Sequence, residues 1–352
     1  MPNRSDISQA LRFTADNLGY SGASLQPIGT GRNSRVYLAE CGALGRYAVK
    51  CYPDDGPAGR DRLSAEFSGL TFLWENGLRC IPEPVAADPS TRCAAYRYVE
   101  GTGIDPTQVT ESDIGSAVEF LGQLKALAGS NGSAELADAA DACFSERELF
   151  DDIQRRVDRL TSVEEGGVHY EHLKHFIETD LRPVLGRFHD LFQNDGGESG
   201  QLSNSRLALV KRTLSPSDFG FHNALRRPAG EIVFLDFEYF GWDDPAKTIA
   251  DMLLHPAMEL SRQQGERFVE GMLDGFAADL GLGSRVQALE PLYGLKWCMI
   301  LLNEFVAGDR ARRSFAHGGE LDREMLLQTQ LNKARNMLCH VQAAGSRLPH
   351  RN

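Results

Sequence analysis

The first hundred residues alternate in short apolar bursts. "LQPIG" and "RVYLAE" flank a glycine-containing turn, "RYAVKCY" follows a turn bounded by Gly42 and Gly45, and "IPEPVAADPSTRCAAYRYVEG" holds two more runs around Asp88-Pro89. Short runs of this kind between turn residues predict β-strands. One stretch breaks the pattern. In "GRDRLSAEFSGLTFLWENG" Leu63, Phe67, Leu70 and Trp74 fall at helical spacing, and Gly77 can stop the helix. Beyond Gly101 the period changes. Residues 111–128, 145–160 and 170–192 read as helices, a strand-rich island occupies 207–240, and residues 251–344 are helical again. The pattern predicts an α+β chain in two lobes. A small β-rich lobe spans 1–100, a crossover lies near 98–104, and a larger helical lobe spans 101–352, with a cleft between them.

Composition narrows the class. With 42% hydrophobic and 24% charged residues, the 352-residue chain reads as globular rather than disordered. A formal charge of −12 argues against a nucleic-acid partner, which would ask for a basic stripe. Seven scattered cysteines without a CxxC pair suggest neither a zinc site nor a disulfide framework, and reduced thiols in the cytoplasm are expected. No apolar run approaches the roughly 18 residues of a membrane span, and "MPNRSDISQALRF" lacks an apolar signal core. A soluble protein with no membrane partner is expected; no motif sets an oligomeric state.

Four separated pieces carry candidate chemistry. The first is "GTGRNSRVYL", with Gly29, Gly31 and Ser34 between two strands. Glycines let backbone N–H groups approach phosphate oxygens, although a glycine-containing hairpin alone would look the same. The second is Lys50 in "YAVKCY", set by alternation on the face opposite Tyr47, Val49 and Cys51. A lysine among apolar neighbours needs an anionic partner, and Glu66, bordering the inward face of the next helix, is the candidate. A solvent-facing lysine beside a surface carboxylate is the plainer alternative. The third is Asp218 with Asn223, a D-x-x-x-x-N spacing in a loop after the apolar run "LALV", which reads as a strand. The fourth is Asp236 in "EIVFLDFEYFGWDDPAKTIAD", where Ile232, Phe234 and Asp236 share one strand face. The turn "RRPAG" lets 223–226 pair with 231–236, which makes Asn223 and Asp236 neighbours suited to Mg²⁺. In this order the pieces match an ATP-dependent phosphoryl transferase of the kinase type.

The sequence resembles the aminoglycoside phosphotransferase and choline kinase-like family, within the protein-kinase-like fold. The likeness runs over roughly residues 25–255 and is strongest at "GTGRNSRVYL", "YAVK", "SDFGFHN" and "LDFEYFGWDDPAKTIAD". It implies that Asp218 positions or deprotonates an acceptor hydroxyl, that Asn223 and Asp236 hold Mg²⁺, and that Lys50, tethered by Glu66, contacts the phosphates of ATP or GTP. It also implies that adenine lies against the crossover near Arg97 and Val99, and that Asp-Phe-Gly at 218–220 is not the metal motif its letters suggest. The acceptor implied is a small polar molecule: an amino sugar, a sugar, an amino alcohol or a nucleoside-like compound.

The chain departs from the family in three places. Pro216-Ser217-Asp218 stands where His-Gly-Asp is usual, Gly220-Phe221-His222 replaces a His-Pro-Gly run, and Thr248 replaces an aspartate, with Asp251 nearby. The missing histidine leaves open a catalytically silent nucleotide binder. A protein kinase is disfavoured because Asp244-Pro245 follows Asp236 too soon for a protein-binding segment. Trp242, Asp243 and Glu304 are candidate acceptor contacts, while Trp297 reads as helix packing. His169, His172 and His175, and the acidic run Glu146, Glu148, Asp151 and Asp152, read as solvated helix faces.

Overall fold

The computed structural model describes residues 4–29, 34–54, 60–195, 203–308 and 323–345. The N-terminal part is built on an antiparallel sheet in the order β1-β2-β3-β5-β4: Ser24–Pro27, Arg35–Glu40, Arg46–Cys51, Cys93–Arg97 and Pro84–Asp88. Alternation along β3 sorts its side chains as expected. Tyr47, Val49 and Cys51 pack on one face with Ala10 and Phe13 of helix α1, Arg4–Leu18. Lys50 turns to the other face. Helix α1 is an addition to the strands expected here; Ala10 and Phe13, three residues apart and fully buried, are the apolar pair that fixes it to the sheet.

Helix α2, Arg62–Glu75, begins where the Asp61 side chain accepts the N–H of Ser64. Its buried stripe runs Leu63, Glu66, Leu70 and Leu73, while Phe67 and Trp74 are only partly buried. The stripe is therefore rotated from the expected one, and Glu66 lies inside it rather than at its border.

The C-terminal part is mainly helical: α3 Glu111–Leu127, α4 Glu146–Thr161, α5 Val168–His175, α6 Arg182–Asp195, α7 Pro245–Leu254, α8 Arg262–Gly275, α9 Leu282–Leu301 and α10 Arg323–Gly345. Short strands interrupt it. Strand β6, Thr102–Gly103, pairs with β8, Ala224–Arg226, which pairs in turn with β9, Ile232–Phe234. Strand β7, Thr213–Ser215, pairs with β10, Gly241–Asp243. One apolar cluster joins the two parts, uniting Leu70 and Tyr96 with Phe120, Phe219, Phe234 and Phe237. None of the described helices is long and apolar enough to cross a membrane.

Two details differ from the sequence expectation. "LALV" is not a strand: Leu209–Lys211 form a 3-10 turn in which Val210 is 80% exposed, and the strand begins at Thr213. An apolar run this short does not fix its own depth. Strand β9 also ends at Phe234, because Asp236 takes a left-handed backbone with φ +64°. The direction of its side chain is thus set by that turn and not by strand alternation.

Beneath the loop that carries Asp218 lies a buried polar brace. Asp244 caps α7 by accepting the N–H of Ala246. Lys247, 2% exposed, lies 3.1 Å from Asp243 Oδ2 and 2.8 Å from Asp251 Oδ2, and donates to Ser217 Oγ at 3.0 Å. Burial opposes the lysine charge, but Asp243 and Asp251 outweigh it and hold the ammonium above its ordinary range. Asp243 is nonetheless pushed up to about 6 by its own burial, since one cation serves two carboxylates. Ser217 has φ +68°, a costly conformation for a residue with a side chain. Its N–H donates to Ser215 Oγ at 3.0 Å, and Ser215 meets Thr248 Oγ1 at 3.1 Å. Lys247→Met would leave Asp243 and Asp251 without their shared cation. Urea unfolding should show a loss of about 3–5 kcal/mol, partly recovered by adding Asp243→Asn. A Lys247→Met protein within about 0.5 kcal/mol of wild type would contradict the brace.

Candidate active site

Lys50 leaves β3 toward the C-terminal part and is 6% exposed. Its Nζ donates to Glu66 Oε2 at 2.6 Å and to Asp236 Oδ1 at 2.7 Å, with Glu238 Oε2 at 3.7 Å. Burial works against the ammonium, yet Asp236, Glu66 and Glu238 together hold it well above its ordinary range. The carboxylates fare less well. Burial raises Glu66, although Lys50 opposes the rise. Burial and the neighbouring Asp236 push Glu238 up to about 7 despite Lys50 and Arg62. These shifts agree once charges are counted: Lys50 and Arg62 face three carboxylates, and one negative charge is in excess.

Each carboxylate is anchored differently. Glu66 accepts from Tyr52 Oη at 2.8 Å and from the Phe237 N–H at 3.3 Å, and Tyr52 Oη meets Tyr96 Oη at 2.9 Å. Glu238, 1% exposed, accepts from Arg62 Nη1 at 2.9 Å. Asp236 is the open member, with a third of its side chain exposed. It faces a cleft of about 530 Å³ between the two parts of the chain.

The D-x-x-x-x-N segment closes the floor of this cleft. Phe221–Asn223 form a 3-10 turn, and Asn223 Nδ2 donates to the backbone oxygen of Asp218 at 2.9 Å. The β8–β9 hairpin forms as the sequence suggests, with the Leu235 N–H on the Asn223 oxygen at 2.8 Å, so Asn223 sits beside Asp236. Asp218 adjoins the cleft through His222, whose Nε2 lies 3.2 Å from Asp218 Oδ1.

The cleft lining contains Gly29, Ser34, Lys50, Glu66, Arg97, Val99, Asn223 and Asp236. Gly29 has φ +75°, a conformation that favours glycine. Gly31 lies outside the described residues. Arg97 stacks on the Tyr47 ring at 4.8 Å and leaves its backbone to the crossover.

Other candidates lie elsewhere. Trp242 is buried and donates Nε1–H to the Ser133 oxygen at 3.0 Å, and Asp243 is wholly buried against Lys247. Glu304 is buried in the 3-10 turn Leu302–Phe305. None of the three lines the cleft. Trp297 donates to Asp251 Oδ1 at 2.9 Å and packs perpendicular to His255, 4.7 Å between ring centres. On α4, Asp152 is not on a solvated face as expected: its side chain is 15% exposed and is bound by Arg155, Arg156 and Lys296 Nζ, the last at 3.0 Å. Burial opposes the charge of neighbouring Asp141, but Lys296, Arg156 and Arg60 keep its carboxyl far below the usual range.

Sequence patterns assign no role to Glu238, Arg62, Tyr52, Tyr96 or His255. Glu238 stands in the quoted "LDFE" and Arg62 four residues before Glu66, which were usable signals. His255 carries none, because only the packing of α7 brings it to within 3.7 Å of Asp218.

The family model described as "Phosphotransferase enzyme family" matches residues 24–289. No curated protein matches the sequence. Among solved structures, an ethanolamine kinase from Plasmodium vivax is 14% identical at a TM-score of 0.62, covering 95% of this chain and 91% of its own. A spectinomycin phosphotransferase in complex with ADP and spectinomycin is 12% identical at 0.60, covering 96% and 98%. A choline kinase from Streptococcus pneumoniae is 15% identical at 0.58, covering 95% and 99%. Those structures share the two-part, protein-kinase-like fold, and the family match extends over well over half of the residues: the chain belongs to the phosphotransferase enzyme family.

Proposed function

We propose that the protein transfers the γ-phosphoryl group of ATP to a hydroxyl of a small polar molecule, with residues 1–100 as the nucleotide lobe and 101–352 as the acceptor lobe. The observation that carries the reading is the convergence of Lys50, Glu66, Asp236 and Asn223 on one cleft, with Asp218 beside it behind His222. The nucleotide base would lie against the crossover at Arg97 and Val99, and Lys50 would pair with the phosphates. Asp218 would accept the proton of the acceptor hydroxyl as its oxygen bonds to the γ-phosphorus. The bond to the β-phosphate oxygen breaks, and ADP leaves.

The donors present fit Mg²⁺, a hard cation that takes oxygen ligands. The carboxylate group around Lys50 carries one excess negative charge, Asp236 is its open member, and Asn223 commits its amide nitrogen to Asp218, which leaves its oxygen. Asp236 and Asn223 would hold the ion, which when bound neutralises charge on the β- and γ-phosphates.

A small acceptor is favoured over a protein because β10 begins at Gly241 and α7 at Pro245, soon after Asp236. The structural neighbours named for ethanolamine, choline and spectinomycin make amino alcohols and amino sugars the first acceptors to try. A cytoplasmic location suits an ATP-dependent reaction. In a screen of such acceptors, Asp218→Asn should lower transfer by at least about 100-fold while Mg-ATP affinity stays near wild type. Wild-type turnover by Asp218→Asn would remove the mechanism. Mg-ATP binding without turnover on any acceptor would instead favour a silent binder, the reading opened by Pro216 at the usual histidine position.

A further inference from the structure

Asp218 has an arrangement around it that its loop motif does not announce. His222 Nε2 lies 3.2 Å from Asp218 Oδ1, and a carboxylate only accepts, so this nitrogen carries the proton. The other ring nitrogen of His222 is buried with no hydrogen-bond partner among the described residues. The His222 ring lies flat on the His255 ring, with centres 3.9 Å apart and planes 4° from parallel. His255 is fixed in turn. Its Nδ1 accepts the Ala257 N–H at 3.1 Å, which places its own proton on Nε2, 3.7 Å from the same Asp218 oxygen. The Trp297 ring also packs perpendicular to His255, 4.7 Å between ring centres.

Gly220 leaves room for this stack. A Cβ on Gly220 would come within 2.7 Å of His222 Nδ1 and 2.6 Å of Met258 Sδ. Met258 also accepts the Phe221 N–H at 3.2 Å. A glycine at 220 is therefore required by the closeness of the histidine ring, since its backbone is extended and not left-handed.

We infer that His222, buttressed by His255, is a positioning residue for Asp218. By donating to Oδ1, His222 fixes the plane of the carboxylate. Asn223 holds the backbone of Asp218 at the same time, so side chain and main chain are fixed by adjacent residues. This rests on Asp218 being the group that meets the acceptor.

The test compares His222→Leu, His222→Gln, Gly220→Ala and Asp218→Asn. Each is assayed for Mg-ATP turnover with water and with the best acceptor from the choline, ethanolamine and spectinomycin set, beside Mg-ATP affinity and Tm. A misplaced reacting group costs up to about 100-fold, so His222→Leu and Gly220→Ala should lower kcat by about 10–100-fold with little change in KM for ATP. Glutamine at 222 keeps an N–H donor at similar reach and should recover at least about a third of that loss on a logarithmic scale. Equal losses in His222→Leu and His222→Gln would assign His222 to packing alone and overturn the inference, as would wild-type kcat in His222→Leu with Asp218→Asn inactive. Wild-type turnover in Asp218→Asn would instead overturn the role of Asp218 on which the inference stands.

Discussion

Lys50 is out of water, and it keeps its charge because Glu66, Asp236 and Glu238 surround it. The three carboxylates come from two places far apart in the chain: Glu66 from α2, Asp236 and Glu238 from the segment after β9. A buried ammonium without them would be costly, and so would the carboxylates without Lys50 and Arg62. The contact therefore couples the sheet, its helix and the C-terminal strands into one arrangement. It also explains why Asp236 tolerates a left-handed backbone, since the ion pair with Lys50 at 2.7 Å holds it in place.

The loop bearing Asp218 shows how one architecture can be held by different groups. Where the sequence resemblance leads one to expect histidine, glycine and a later aspartate, this chain has Pro216, Ser217 and Thr248. The strain at Ser217 is countered by Lys247 from below, and Ser215 joins Thr248 across the same gap. Lys247 needs its own buried partners, Asp243 and Asp251, and Asp251 also receives Trp297. A chain of polar contacts thus runs from α9 through α7 to the loop. Asp243, proposed from sequence as an acceptor contact, is occupied within that chain.

Much of this was legible where spacing alone sets geometry. Alternation puts Lys50 opposite Val49 and Cys51, and the "RRPAG" turn puts Asn223 beside Asp236, because a strand and a hairpin leave little freedom. What was not legible depends on packing between distant elements. Asp218 and His255 are 37 positions apart and meet only because α7 ends beneath the loop. Asp152 and Lys296 pair across 144 positions, which no local pattern encodes. Helix α1 had a usable signal that was passed over, since Ile7, Ala10, Leu11 and Leu18 recur at helical spacing and Ile7 and Leu18 pack against the Ala10 and Phe13 cluster. The left-handed turn at Asp236 also has no glycine to mark it in the sequence.

In the proposed reaction the excess carboxylate beside Lys50 would take a divalent cation brought with nucleotide. Calorimetric titration of ATP with and without Mg²⁺, in wild type and in Asp236→Asn, tests this directly. Mg²⁺ should tighten ATP binding to the wild-type protein by about tenfold or more, roughly 1.4 kcal/mol per decade, and should have little effect in Asp236→Asn. Equal affinity for ATP with and without Mg²⁺ in the wild type, or a full Mg²⁺ effect in Asp236→Asn, would contradict the account.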